Sequence, residues 1–235
     1  MGVQVASLLA FAILESWIPL SALTESTERR WGAHGLLFGC AVILQNVLVR
    51  VSPLTLAASI HDSPWGLLNR PALPELARIL LAIVLLDGVH YLTDRLFHAY
   101  ETTWRVHAVH HSDRECDVST SLRLHPLEVI VSQTLYVAAI VLLTPPLLAV
   151  FLSGLQTILL NVLVHANIEL PPSLERTLRL LFITPGLHRI HHSTNFADQN
   201  HNFGQAFSFW DRPCGTYRAH PTSQASGVEG VEHNN

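Results

Sequence analysis

The chain contains no lysine; its 14 basic residues are all arginine. Charge of either sign is scarce, with 14% of residues charged against about a quarter in a typical soluble domain. Hydrophobic residues make up 49%, and the mean hydropathy is +0.31. That deficit points to lipid as the solvent for much of the chain. No basic run occurs and the net charge is -4, which argues against nucleic acid as a partner. Cysteine is also sparse. Cys40, Cys116 and Cys214 are far apart and odd in number, which excludes a disulfide scaffold and a Cys-x-x-Cys metal pair. Reduced thiols are expected. Also missing are the His-Glu-x-x-His zinc-protease motif, the Gly-x-Ser-x-Gly hydrolase elbow, a glycine-rich nucleotide loop and the repeated Glu-x-x-His of ferritin-like di-iron bundles.

What is present is apolar helix and histidine. Residues 3–23 form a first hydrophobic segment without a basic start or a clear cleavage site, so a retained helix is expected, with Glu15 reaching the interface. Residues 35–51 are a second, marginal span, and 52–73 a proline-rich interfacial connection. Residues 74–98 are a third apolar helix. Residues 127–144 and 147–165 read as a hairpin broken by Pro145 and Pro146. The expected fold class is therefore all-α, with about four to five membrane spans or re-entrant segments. One domain is expected over 1–218, and a disordered tail over 219–235.

The sequence holds 15 histidines, and two of its stretches repeat a spacing: "HAVHH" at 107–111 and "HRIHH" at 188–192. On a helix, positions i, i+3 and i+4 share a face, so each triplet is expected to aim three imidazoles at one point. Neutral imidazole is a common ligand for iron, zinc, copper and nickel. Six nitrogens exceed what one four-coordinate zinc accepts, so two metals fit the supply better. His98, His125 and His165 sit at ends of predicted spans and are further candidate ligands. His90 is ambiguous; it shares a helix face with Asp94 and His98. His34, His61, His201, His220 and His233 read as ordinary interfacial or solvent-facing residues.

Arginine placement predicts an orientation. Arg29, Arg30, Arg95, Arg105, Arg114, Arg123, Arg176, Arg179, Arg189, Arg212 and Arg218 fall on the side of the histidine-bearing segments; Arg50, Arg70 and Arg78 fall on the other. By the positive-inside rule, the histidines face the cytoplasm.

Taken with their flanks, these motifs resemble those of the fatty acid hydroxylase/sterol desaturase superfamily of integral-membrane di-iron enzymes. The resemblance covers residues 87–218 well and the N-terminal spans loosely. It rests on "DGVHYLTDRLFH", "TWRVHAVHHSD", "LRLHPLE", "VHANIELP", "TPGLHRIHHS", "NFG" and "FWDRPCGTYR". The family's pattern is His-x-x-x-His, then His-x-x-His-His twice. This chain departs at Asp94, where the family has the first histidine. Asp94 is either a substitute oxygen ligand, or points away with His90 moving in, or marks a weakened site.

The resemblance implies a helical membrane domain with a cytoplasmic helical cap over two iron ions (zinc being possible after purification), held by His98, His107, His110, His111, His125, His165, His188, His191 and His192. It implies reductive activation of dioxygen and oxidation of an unactivated C–H bond of a lipid, with hydroxylation favoured over desaturation. Metal-bound histidines usually donate their other N–H to a supporting group; Asp87, Asp113, Glu128, Asn202 and Asp211 are the candidates. The sequence carries no b-type cytochrome module and no ferredoxin cysteine set, so a separate ferredoxin, or a b-type cytochrome with its reductase, is the expected electron donor. Rival readings are a zinc-loaded or weakened relative and a membrane metal-handling protein. The latter would place its ligands along a path near the bilayer midplane.

Overall fold

A computed structural model of the chain describes residues 2–69 and 73–222. It is helical, with two isolated β-bridges, Pro19–Ile168 and Phe182–Phe207, and no strand among the described residues. The first helix, α1 (Gly2–Trp17), rises about 24 Å at 1.5 Å per residue, short of the roughly 30 Å hydrocarbon core. Then come α2 (Thr27–Leu48), α3 (Pro53–Ile60), α4 (Glu75–Ala99), α5 (Glu101–His111), α6 (Pro126–Leu143) and α7 (Leu147–His165). Short helices α8 (Pro172–Leu178), α9 (Pro185–His191) and α10 (Phe196–Gln199) follow.

Among the described residues, four stretches are long and apolar enough to cross a membrane: Thr27–Ile60, Glu75–Ala99, Pro126–Leu143 and Leu147–His165. Their outward faces carry large apolar side chains such as Leu36, Ile43, Leu80, Leu92, Leu142 and Phe151. Water would reject that surface and lipid accepts it; the chain is an integral membrane protein. From α4 onward the spans predicted from the sequence recur to within about a residue; α2 begins eight residues before the predicted second span, and α1 ends six residues short of the predicted first segment. The segment 52–73 differs from expectation. Pro53, with its φ already helical, starts α3, which packs on α6 and α7 instead of forming a plain connection. Leu67 and Leu68 then donate backbone N–H groups to the carbonyls of Leu142 and Leu143.

Proline and threonine set the hairpin. Thr144 takes a left-handed conformation (φ 46°) that ends α6, and Pro146 precedes α7. Between α3, α4, α6 and α7 lies an apolar core of Leu86, Ile140, Tyr136 and Val150, with Ala57, Ala82 and Ala149 fully buried. Such small residues let helix backbones approach closely in lipid.

The ends of five helices gather at one pole. Glu15, near the end of α1, accepts the N–H groups of Val118 and Asn167. Arg30, at the start of α2, donates to Asp113 and Asp117. Asp94 and His98 end α4, Glu128 begins α6 and His165 ends α7. Over this pole lie α5, the 3-10 turn Val118–Leu122 and the segment from α8 onward. The segment closes on α7 through a small core of Val164, Ile183, Leu187 and Ile190. Arg50 follows α2 and Arg78 lies in the first turn of α4, so both mark the opposite pole; Arg70 lies outside the described residues.

The packed body runs past the expected boundary at 218. Arg179 donates to the carbonyl of Ala219, and the Thr222 N–H donates to the Asp198 carboxylate. The remainder of the predicted tail, 223–235, lies outside the described residues.

Candidate metal centre

Local sequence places each imidazole. α4 stops at Ala99, and Tyr100 is extended (φ -128°), so α5 turns back across the pole. The Thr103 hydroxyl donates to the carbonyls of Leu96, Phe97 and Tyr100, serving the last turn of α4. α9 begins with Pro185 at its first position and the Thr184 hydroxyl accepting from Leu187 N–H. These two short helices carry both triplets, with His192 just past the end of α9.

Each triplet is divided between two groups. His98, His107, His111 and His191 form the first; His110, His165, His188 and His192 form the second. Within each group, one candidate ligand atom per residue lies within 4.8 Å of all the others. The expectation that a triplet aims at a single point is therefore corrected. At 3.6 residues per turn, i+4 lies about 40° past the azimuth of i, while i+3 lies about 60° short of it, on the other side. His107 and His111 turn to one side of α5 and His110 to the other. His188 and His192 pair in the same way, apart from His191. The groups adjoin through the stacked rings of His111 and His192, 4.3 Å between centroids.

Four rings have their Nδ1 atoms tied outward. His107 pairs with Glu128 Oε1 at 3.0 Å, His110 with the Arg123 carbonyl at 3.3 Å, His165 with the Asn161 carbonyl at 2.6 Å and His191 with the His201 carbonyl at 2.9 Å. Each acceptor fixes the proton on Nδ1 and turns the Nε2 lone pair inward. The inward atoms crowd: Nε2 to Nε2 is 3.1 Å for His107–His111, 3.1 Å for His110–His165 and 3.0 Å for His165–His188.

The donor set fits a pair of bound cations. Neither ring nitrogen of His192 has a hydrogen-bond partner among the described residues, and neither does Asp94 Oδ1. Yet Asp94 Oδ1 lies 3.0 Å from His107 Nε2, and Oδ2 lies 3.3 Å from His191 Nε2. Buried polar atoms without partners are costly, and lone pairs that converge unpaired are the geometry of ligands around an ion. Burial and neighbouring imidazoles hold His110, His111, His188 and His192 well below the usual imidazole range. They are neutral at physiological pH, the form that binds metal. His107 goes the other way. Burial opposes its charged form, but Glu128 and Asp94 prevail and push it up to about 10. Two carboxylates there favour positive charge.

Some predicted residues lie elsewhere. His125 caps α6, and its Nδ1 accepts from Leu127 N–H at 3.1 Å; that nitrogen is spent on the helix end, outside both groups. His90 stacks on Tyr136 and meets the Thr157 hydroxyl through Nε2 at 3.3 Å. Of the five supporting residues expected, Glu128 alone touches a grouped imidazole. Asp87, Asp211 and Asn202 hold backbone, and Asp113 holds side chains. Asp87 accepts from Ala206 N, Phe207 N and Trp210 Nε1. Asp211 accepts from Phe203 N and Gly204 N. Asn202, left-handed at φ 58°, binds Leu187 O and Arg218 O. Asp113 pairs with Arg30 and Thr120. His34, expected at the interface, is fully buried between Ser119 Oγ (2.9 Å) and Arg123 Nη1 (3.2 Å). Isolated in its helix, it carried no motif that could have signalled this.

A family profile described as fatty acid hydroxylase matches residues 79–216, more than half of the chain. The ornithine lipid hydroxylase OlsE of Rhizobium tropici is 31% identical over 74% of this chain and 51% of its own length. Human alkylglycerol monooxygenase is 28% identical over 67% of this chain and 32% of its own. Rat methylsterol monooxygenase 1 is 30% identical over 60% and 46%. The chain thus spans about half or less of the length of these relatives. No solved structure matches it significantly. The matched residues include every member of both histidine groups, and the chain belongs to the fatty acid hydroxylase family.

Proposed function

We propose that the protein is a membrane oxidase that uses dioxygen and external electrons to hydroxylate an unactivated C–H bond of a lipid. The observation that carries this reading is the division of eight imidazoles into two adjoining groups of four at one pole of an apolar bundle. When bound there, an iron pair supplies reductive activation of dioxygen and oxidation of the C–H bond. The ligands in this reading are His98, His107, His111, His191 and Asp94 for one ion, and His110, His165, His188 and His192 for the other. His90 and His125 are left out.

The chain's own residues position and protect. Glu128 and the carbonyls of Arg123, Asn161 and His201 lock ring orientation. Most members of both groups are at least 94% buried as residues, and the His98 side chain is only 3% exposed, which keeps bulk water from a reactive centre. The groups sit where spans end, not along a path through the bilayer centre, which disfavours ion transport. The histidine pole carries most of the arginines, consistent with a cytoplasmic site and an acidic soluble donor such as a ferredoxin, or a b-type cytochrome with its reductase. Residues 1–218, with the few that follow to Thr222, act as a single domain.

The test is purified full-length chain loaded with ferrous iron, given membrane lipids, ¹⁸O₂ and a ferredoxin with its reductase. A lipid heavier by one labelled oxygen, formed only with two irons bound, is the expected result. Loss of two hydrogens without oxygen gain would make it a desaturase. No oxygen-dependent product from the di-iron protein would overturn the reading.

A further inference from the structure

Beneath the histidine pole, among α3, α4, α6 and α7, lies a cavity of about 510 Å³, within the usual range for sites that enclose a small molecule. At one end stand Leu124 and Glu128, the latter in contact with His107. At the other stand Val3, Pro53 and Leu54. A second apolar hollow of about 490 Å³ adjoins there through Leu54 and Phe151. Apolar surface dominates the walls, as an alkyl chain requires.

Part-way down, the wall is not apolar. Ser132, Gln133 and His90 line it. His90 is engaged by Thr157, and neighbouring Tyr136 donates to Ser153. The side chains of Ser132 and Gln133 make no hydrogen bond among the described residues. A primary amide within a span, in an apolar cavity and without a partner, is unfavourable, and residues of that kind mark functional positions. Gln133 lies five residues beyond Glu128, about 7.5 Å along α6; His90 lies one turn before Asp94, about 6 Å along α4. The polar point therefore sits at a fixed depth below the histidine groups. Among the described residues, Glu128 is the one acidic or basic side chain other than histidine that lines the cavity, and it faces the pole.

We infer that Gln133, with Ser132 and His90 beside it, recognises an uncharged oxygen function, a hydroxyl or carbonyl, on the alkyl portion of the lipid. The group sits several carbons from the position presented to the histidine pole. The amide both donates and accepts, so either oxygen function satisfies it. No arginine lines the walls among the described residues, which disfavours a phosphate or carboxylate at this depth. Gln133 thereby sets which carbon is presented, a specificity role within the lipid-oxidation reading on which the inference rests.

Binding tests this without turnover. Radiolabelled hexadecan-8-ol and hexadecane are titrated into the purified full chain in detergent, and the ratio of their affinities is compared between variants. Gln133→Leu is expected to lower the alcohol-to-alkane ratio about fivefold, the scale of one hydrogen bond, with hexadecane affinity and metal content unchanged. Gln133→Met, unbranched, reads the same point should leucine disturb the helix. An unchanged ratio in both variants overturns the inference. Selective binding by a chain that oxidises nothing would sink the oxidation reading alone; turnover without selectivity would sink this one alone.

Discussion

The Nε2 atoms of His110 and His165 face each other at 3.1 Å while both rings give their Nδ1 protons away, to the carbonyls of Arg123 and Asn161. Two lone pairs at that distance repel. A second proton on either ring would relieve the contact, but burial holds the His110 imidazolium far below its ordinary range. A cation between them relieves it without that cost. The contact of Asp94 Oδ1 with His107 Nε2 at 3.0 Å differs: against burial, Glu128 and Asp94 push that ring up to about 10, so an ion pair satisfies the contact until a cation takes the proton's place.

His110→Ala removes one ligand from the second group only. Metal content is expected to fall by about half, from two ions per chain, because the first group keeps all its ligands. His191→Ala does the same to the first group. Elemental analysis with far-ultraviolet circular dichroism checks both; undiminished metal with intact helix would remove these residues from the ligand set.

Asp94→Asn keeps the volume and loses the charge. Its oxygens lie among the Nε2 atoms of His98, His107 and His191, so the first group alone should weaken. In a cobalt titration, one of two equivalents should bind more weakly by about tenfold, the scale on which groups around a metal act. Asp94→His, which supplies nitrogen at the same point, should preserve occupancy. A wild-type-like titration of Asp94→Asn would show that the carboxylate is a bystander.

Glu128 orients His107 and belongs to no group itself. Glu128→Ala should lower affinity at the first group by about 10- to 100-fold, and Glu128→Gln by less, since the amide oxygen still accepts from Nδ1. Equal losses in the two variants would mean that charge, not orientation, is what Glu128 supplies.

Much of this was legible in the sequence because both signals are local. Runs of apolar residues locate the spans from α4 onward almost to the residue, and the triplets with their flanks name the family. The division of each triplet was not legible. It depends on where α5 and α9 lie relative to α4 and α7, and helical spacing alone gives a face, not the two points that face serves. Asp87, Asp211 and Asn202 were misread for a related reason. A carboxylate or amide near a histidine in sequence is as apt to hold loop backbone: here Asp87 and Asp211 both hold the segment 203–207, and Asn202 holds Leu187 and Arg218. His34 and Gln133 had no motif; partners from distant elements and the shape of a cavity give them meaning.

Arg30 is 6% exposed and bridges Asp113 and Asp117, which are 3% and 1% exposed, through Nη2 at 3.0 Å and Nη1 at 2.7 Å. It ties the start of α2 to the loop that follows His111. Removing one partner of such a buried set leaves charge uncompensated, at a cost of about 3–5 kcal/mol. Arg30→Ala should lower the melting temperature sharply in detergent and loosen metal binding only as a consequence. Loss of metal with an unchanged melting temperature would contradict a structural role.

His125 gives the sharpest separation between motif and geometry. It stands in "LRLHPLE", one of the flanks that signals the family, yet its Nδ1 caps α6 and it belongs to neither group. His125→Asn keeps a capping acceptor and should leave both stability and metal content as they are. His125→Ala should cost about 0.5–2 kcal/mol through the lost cap and still retain both metal ions. His165→Ala, from the other candidate at a span end, should lose metal from the second group. If His125→Asn lost metal as His165→Ala does, the ring would have to swing from the helix end into the centre, and the cap described here would not be its working position.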